Sequence, residues 1–595
     1  MPANIRNFAI IAHIDHGKTT LTDRILELVG AIKVDSNRQR VMDSNPIEQE
    51  RGITIKLAPV TFNYELDGQT YQLNLIDTPG HVDFGYEVSR SLAACEGVIL
   101  VVDASQGVQA QTLTNYHQAK ELGLKVIPVI NKIDLPSADV DKTMLEVMEL
   151  CQVDDSEIVA VSAKTGKNID QVLTAVVENI PAPTGDSQKP LRALLISSSV
   201  DSHQGAIGLV KVVDGEITAK QKLAFCADGS WFNSQSVGLF KPALTTSDKL
   251  QAGQVGYVAT GLKDSRSLKI GDTLTTFKDL ESIVRLPGYI EPLPMVYLEV
   301  YPIDATQLSL LRDSLYKLSL ADAALQYTGT NSSALGNGFR IGFLGILHAE
   351  VALERLQREF AIDVIATPPS VTYLVKDKAG EEDLISSPNQ LKDPSQIDEI
   401  KEPMVIASIY TPEKYLNACL GLCRERRGQL ESTQSFGSQM LIKSKLPLAE
   451  LITDFHDLLK SLTSGYASMT YKKIGFELAD VVRVDILLNQ EQIDALSFLA
   501  VRVQAEYRGR RFVEKLKEIL PRQQFTVPIQ AAIGGKVIAR ETLQSFRKDV
   551  TAKLYGGDVT RRKKLLSKQA KGKKRMKQFG KLQLDQDVFV KLLKQ

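Results

Sequence analysis

Ala12-His13-Ile14-Asp15-His16-Gly17-Lys18-Thr19 sets a glycine, a lysine and a hydroxyl at the spacing that cradles phosphate. It fits the pattern GxxxxGK[ST], with Ala12 where the first glycine would stand. Backbone N–H groups of such a loop and of the helix after it can surround phosphate oxygens, and Gly17 lets the backbone come close. Lys18 would reach the β- and γ-phosphates and the Thr19 hydroxyl would bind Mg²⁺. Asp15, His16 and Thr20 belong to the same nucleotide-binding stretch.

Further groups follow in the order this chemistry needs. In Asp77-Thr-Pro-Gly80-His81, Asp77 can hold Mg²⁺ through water and the Gly80 N–H can sense a γ-phosphate. Within Arg51-Gly-Ile-Thr54-Ile, the Thr54 hydroxyl and carbonyl can complete the metal shell, so Thr19, Thr54 and Asp77 form the metal set. His81 directly follows Gly80 and is the candidate catalytic residue, placed to orient the attacking water. In Asn131-Lys132-Ile-Asp134, Asp134 can accept from the N1–H and N2–H₂ of guanine, donors that adenine lacks there. In Ser162-Ala163-Lys164, the Ala163 N–H can donate to guanine O6 while Lys164 covers the base. The ligands predicted are therefore GTP and GDP with Mg²⁺.

These groups need strand ends to carry them. Apolar runs over Asn7–Ala12, Thr61–Leu66, Tyr71–Ile76, Gly97–Asp103, Lys125–Ile130 and Ile158–Ser162 read as strands, and an Asp67-Gly68 turn joins the second and third. Helical patterns separate the later ones, so residues 1–186 read as a doubly wound P-loop domain. Short β-branched runs punctuated by Asp-Gly and Gly-Asp predict a β-barrel over 187–288. Two stretches, 289–372 and 403–482, repeat a split βαβ, ferredoxin-like layout. Residues 373–402 read as a hairpin or linker, and 483–595 as a C-terminal domain. The fold class is thus multidomain α/β and β.

Composition excludes little beyond the extremes. Apolar residues are 43% of 595 and charged residues 24%, as in ordinary globular chains. Lys plus Arg and Asp plus Glu are both 71, so net charge points to no partner. Five scattered cysteines suit a reducing compartment, and Cys419 and Cys423 read as a buried helix face. No apolar run has the length of a membrane span, and the run Phe8–Ala12 is too short for a signal peptide. The expected location is the cytoplasm or a membrane surface facing it.

Asp15-His-Gly-Lys-Thr19, Arg51-Gly-Ile-Thr-Ile55, Asp77-Thr-Pro-Gly-His81 and Asn131-Lys-Ile-Asp134 together resemble the translational GTPases. Gly342-Phe-Leu-Gly-Ile-Leu-His348, Pro521-Arg-Gln-Gln-Phe525, Ala531-Ala-Ile-Gly534 and the block Tyr555–Lys564 narrow the likeness to the LepA family, the bacterial elongation factor four group. That resemblance implies two ferredoxin-like domains matching the third and fifth of elongation factor G, and a C-terminal domain peculiar to LepA. It implies that His81 positions the water when ribosomal RNA engages it, with Ile14 and Ile53 as a hydrophobic gate. Between the two ferredoxin-like stretches there is no room for the tRNA-mimicking domain of elongation factor G.

Ten basic residues and no acidic one lie between Arg561 and Lys577. Arg561, Arg562, Lys563, Lys564, Lys573, Lys574 and Arg575 are candidates for contact with RNA phosphate, beside tRNA by family resemblance. An anionic membrane surface is the rival use of the block, and a solvated tail is the plain one. The expected protein is a monomer, and the resemblance implies a ribosome-stimulated GTPase that moves tRNAs backward or remobilises stalled ribosomes. The alternative is a GTP-gated assembly factor for ribosomal subunits. The block Tyr555–Lys564 argues against BipA-type and tetracycline-protection relatives.

Overall fold

The computed structural model describes residues 4–32, 46–51, 54–55, 57–80, 84–201, 204–241, 243–262, 268–287, 294–322, 324–332, 335–367, 369–436, 439–452, 454–520, 526–545, 559–560, 563–564 and 567–568.

The N-terminal unit is a six-stranded sheet of β1 (Ile5–Ala12), β2 (Ala58–Leu66), β3 (Gln69–Asp77), β4 (Gly97–Asp103), β5 (Lys125–Asn131) and β6 (Val159–Ala160). Their order is β2-β3-β1-β4-β5-β6, with β2 antiparallel to β3 and every other pair parallel. Asp67 and Gly68 both take positive φ, 50° and 76°, as a tight hairpin turn with right-handed strands requires. Helices α1 (Lys18–Leu28), α2 (Pro46–Arg51), α3 (Gly85–Ala93), α4 (Ala110–Glu121), α5 (Val140–Cys151) and α6 (Ile169–Asn179) accompany it. Leu21 and Ile25 of α1 pack with Val172, Leu173 and Val176 of α6 on one face of the sheet. Val88, Leu92, Tyr116 and Val147 cover the other face. With helices on both sides, β4 is buried along its whole length, so it reads as one apolar run rather than an alternation. The C-terminal ends of β1, β3, β5 and β6 meet at one edge, where doubly wound sheets form their crevice.

The expected barrel takes the form of a curled half-barrel. Its eight antiparallel strands run in the order Trp231–Asn233, Lys222–Phe225, Thr273–Thr276, Arg192–Asp201, Gly205–Asp214, Val255–Ala259, Ser236–Lys241 and Ala243–Ser247. Among the described residues the two end strands do not pair with each other. The concave face closes instead over side chains such as Leu195, Val210, Phe225, Leu250 and Val258.

Next, strands Gln326–Ser332, Gly336–Phe343, Val296–Pro302 and Val364–Ala366 stand side by side, with helices Leu308–Ala321 and Ile346–Phe360. In chain order that is 2-3-1-4, the ferredoxin-like arrangement. Strands Gln429–Phe436, Gln439–Pro447, Ile397–Pro412 and Ser468–Leu478 repeat it, and the two units share one core. The first strand of this repeat begins at Ile397 rather than Met404 as its apolar run suggests. The reason is a hairpin, Tyr373–Asp377 with Glu382–Ile385, that pairs with Ile397–Lys401 and supplies backbone partners to a polar stretch. Cys419 and Cys423 are buried on helix Leu416–Glu425, and burial pushes the Cys423 thiol up to about 11. The last sheet joins Val481–Leu488, Val527–Ile533 and Lys536–Leu543 beneath helix Arg502–Ile519.

Candidate functional site

β1 ends at Ala12, and the loop after it turns through Asp15 (φ 62°) and Gly17 (φ 92°) into α1. A Cβ at residue 17 would overlap the Asn131 side-chain amide, so this position requires glycine for space as well as for φ. α1 has no side-chain cap and no acidic residue in its first turn. Its leading N–H groups and its dipole therefore favour an anion.

Lys18 is buried at that helix end. Its Nζ is 3.0 Å from Asp77 Oδ1, donates to Thr54 Oγ1 at 3.1 Å and also donates to the Thr78 carbonyl. Thr19 Oγ1 lies 3.2 Å from Thr54 Oγ1. Asp77 is fully buried, and its Oδ2 has no hydrogen-bond partner among the described residues. A buried carboxylate is not left half-satisfied without cause. Thr54 reaches this cluster because Glu48, buried on α2, accepts from the Ile55 N–H at 2.8 Å. Gly80 stands beside Ala12 and Ile14, whereas Thr20 is exposed on the outer side of the first turn. His81 and Ile53 lie outside the described residues.

The base-side residues gather at the ends of β5 and β6. Asp134 is exposed, and Ser162 Oγ donates to its Oδ1 at 2.7 Å. Lys164 is exposed next to it. Two contacts read from sequence as nucleotide contacts are made within the protein. The Ala163 N–H donates to Asn131 Oδ1 at 3.0 Å, and Asn131 Nδ2 donates to the His16 carbonyl at 2.9 Å. Asn131 thus staples the base-side loop to the phosphate-side loop, because an amide has a donor and an acceptor to offer at once. Lys132, at φ 63°, pairs with Asp103 at 2.7 Å and donates to the Asp15 carbonyl at 2.5 Å. Burial would raise the Asp103 carboxyl, yet Lys132 and Ser105 hold it below its ordinary range.

His16 points into the protein. It is fully buried, and its Nδ1 accepts from the Asp103 N–H at 3.1 Å. Burial first, and His13 second, push its pKa down to about 3, so the ring is neutral and takes a structural place. Two helpers carry no sequence signature. Arg24 of α1 donates to the Ala163 and Lys164 carbonyls, both at 3.0 Å, and Gln111 of α4 accepts from the Ile14 N–H at 3.0 Å. Their signal would have been a polar residue on an otherwise packed helix face, which sequence alone does not single out.

Residues 3–182 match the family of the elongation factor Tu GTP binding domain, and residues 399–487 match the elongation factor G C-terminus. Residues 488–594 match the C-terminus of the GTP-binding protein LepA. The chain belongs to the LepA-type translational GTPases. Like them it hydrolyses GTP. A crystal structure of a protein from Thermus thermophilus has a TM-score of 0.55 and 17% identity, taking in 80% of this chain and 97% of that one. That likeness is one of fold.

The residues predicted to contact RNA are only partly among the described ones in this LepA-type chain. Lys563 and Lys564 are helical and exposed, while Arg561, Arg562, Lys573, Lys574 and Arg575 lie outside the described residues. Among the described residues no helix is long and apolar enough to cross a membrane.

Proposed function

We infer that this GTPase acts on the ribosome in the cytoplasm, moving tRNAs backward or remobilising stalled complexes, with the basic residues from Arg561 to Arg575 on RNA. The observation that carries the reading is the LepA match over 488–594 behind a GTPase domain. A short hairpin, Tyr373–Ile385, stands where a tRNA-mimicking domain would be needed for forward translocation, which favours the backward reading.

In the site, the loop around Gly17 and the Lys18 ammonium would hold the phosphates, and Asp134 would select guanine. Thr19, Thr54 and Asp77 suit Mg²⁺: two hydroxyls 3.2 Å apart face a buried carboxylate with one unpartnered oxygen. Bound there, Mg²⁺ would neutralise charge on the β- and γ-phosphates. Among the described residues no group of three or more His, Cys, Asp or Glu side chains is placed to hold a metal ion by itself. His81 would orient the attacking water.

GTP turnover measured with tRNA-loaded 70S ribosomes and with immature small subunits tests the reading. Stimulation by loaded ribosomes supports it, and preference for immature subunits would turn it to assembly. No stimulation by either would remove the ribosome from the account.

A further inference from the structure

Helix α4 lies between the phosphate loop and the unit 397–478. Its first turn supplies Gln111, which is 6% exposed and accepts from the Ile14 N–H at 3.0 Å. The same helix rests on the second ferredoxin-like unit. Leu113 forms a small buried cluster with Tyr410 and Leu441. Thr114 Oγ1 is 3.3 Å from Thr470 Oγ1, and Ser468 Oγ donates to Gln109 Oε1 at 3.4 Å.

We propose that Gln111 is a positioning residue for GTP turnover, and that docking of the 397–478 unit on α4 sets its hold on Ile14. The loop needs such a hold. It turns through Asp15 at φ 62°, a left-handed conformation that a residue other than glycine keeps only where the surroundings fix it. On its other side the loop is stapled by Asn131 to His16 and by Lys132 to Asp15. Without Gln111, Ile14 and the turn into Asp15 lose their only staple from α4 among the described residues. A displacement of about 1 Å in a group that positions the reaction costs on the order of 10²-fold in rate. Through α4, any motion of the 397–478 unit reaches the phosphate loop without passing through the sheet.

The inference rests on the phosphate site assigned to residues 13–19, so Lys18→Ala is the control. If Lys18→Ala binds GTP normally, that assignment fails, and the relay fails with it. With the assignment intact, intrinsic and ribosome-stimulated turnover of the full chain are compared for Gln111→Met and Gln111→Glu. Methionine keeps volume without an acceptor, whereas the carboxylate of Gln111→Glu still accepts from Ile14. Gln111→Met is expected to lose ten- to a hundredfold in kcat with GDP affinity within about threefold, and Gln111→Glu to recover most of the rate. Leu113→Ala is expected to lower kcat as well, and to add nothing on top of Gln111→Met. Wild-type kcat in Gln111→Met, or a loss that Gln111→Glu does not recover, overturns the positioning role. Losses from Leu113→Ala and Gln111→Met that multiply fully overturn the relay.

Discussion

Arg51 Nη2 lies 2.8 Å from the Glu354 carboxylate, although some three hundred residues separate them. Arg51 Nη1 also donates to Glu350 at 2.9 Å, and Arg358 donates in turn to Glu50 at 2.8 and 2.7 Å. Helix α2, which leads into Thr54, is thus clipped along one face of helix Ile346–Phe360. The spacing 350, 354, 358 is one residue per helical turn.

These pairs are solvated, so each adds little to stability and is weakened by salt. Glu350→Lys with Glu354→Lys should leave the melting temperature nearly unchanged while amide exchange over residues 46–51 quickens. Unaltered exchange would show that buried Ile47, with Glu48 on Ile55 and Glu50 on Arg358, holds the helix without the Arg51 pairs.

Asp134→Asn should move selectivity from GTP toward xanthosine triphosphate. Asparagine meets guanine's donor with a donor, whereas xanthine offers an acceptor. Sites built around such a pair discriminate by about 10⁴–10⁵. Nucleotide titration checks this, and unchanged GTP affinity would remove Asp134 from the site.

His81→Ala should keep GTP and ribosome binding while stimulated turnover collapses, since a group acting only in the transition state leaves ground-state affinity alone. Activator-dependent stabilisation in GTPases reaches ~10⁵ in rate. Normal turnover on ribosomes would assign the water to another group.

Glu450 is 2% exposed in its side chain and faces three arginines, Arg427 at 3.2 Å, Arg508 at 2.9 Å and Arg426 at 3.8 Å. Arg508 belongs to helix Arg502–Ile519, so the carboxylate ties the C-terminal sheet to the ferredoxin-like unit. Removing one partner of a buried ion pair costs about 3–5 kcal/mol. Glu450→Gln should lower the denaturant midpoint by a corresponding amount, and Arg508→Met by less, because Arg426 and Arg427 remain. Equal midpoints for Glu450→Gln and the parent would refute the tie.

His16, with its pKa lowered from 6.5 to about 3 by burial, gives a pH dependence of definite sign. Above about pH 6.5 the ring is neutral folded and unfolded, and its contribution is constant. As pH falls below that, the unfolded chain takes up a proton that the folded chain refuses, and stability drops by up to ~1.4 kcal/mol per pH unit. His16→Asn should flatten the unfolding free energy between pH 6.5 and 4.5, and an identical slope would show that other groups set it.

The expected chemistry at the ends of the strands is written in the letters alone. Gly17, Lys18, Thr19, Asp77 and Asp134 are legible because phosphate and guanine recognition depends on residue type at a strand end, and a strand–loop–helix is locally encoded. Repetition of the ferredoxin-like layout was legible too, since period-2 and period-3.6 patterns survive without identical letters. Only the tertiary structure decided that Asn131 and the Ala163 N–H bind each other, because the two strand ends must meet before either group is spoken for. The same holds for Gln111 on Ile14, Arg24 on residues 163–164 and Arg51 on Glu354. Each joins segments far apart in sequence through one or two polar contacts, and so few leave no period in the letters for a reader to find. The start of the strand at Ile397 is of this kind: its polar residues extend only because the hairpin at 373–385 offers them backbone partners.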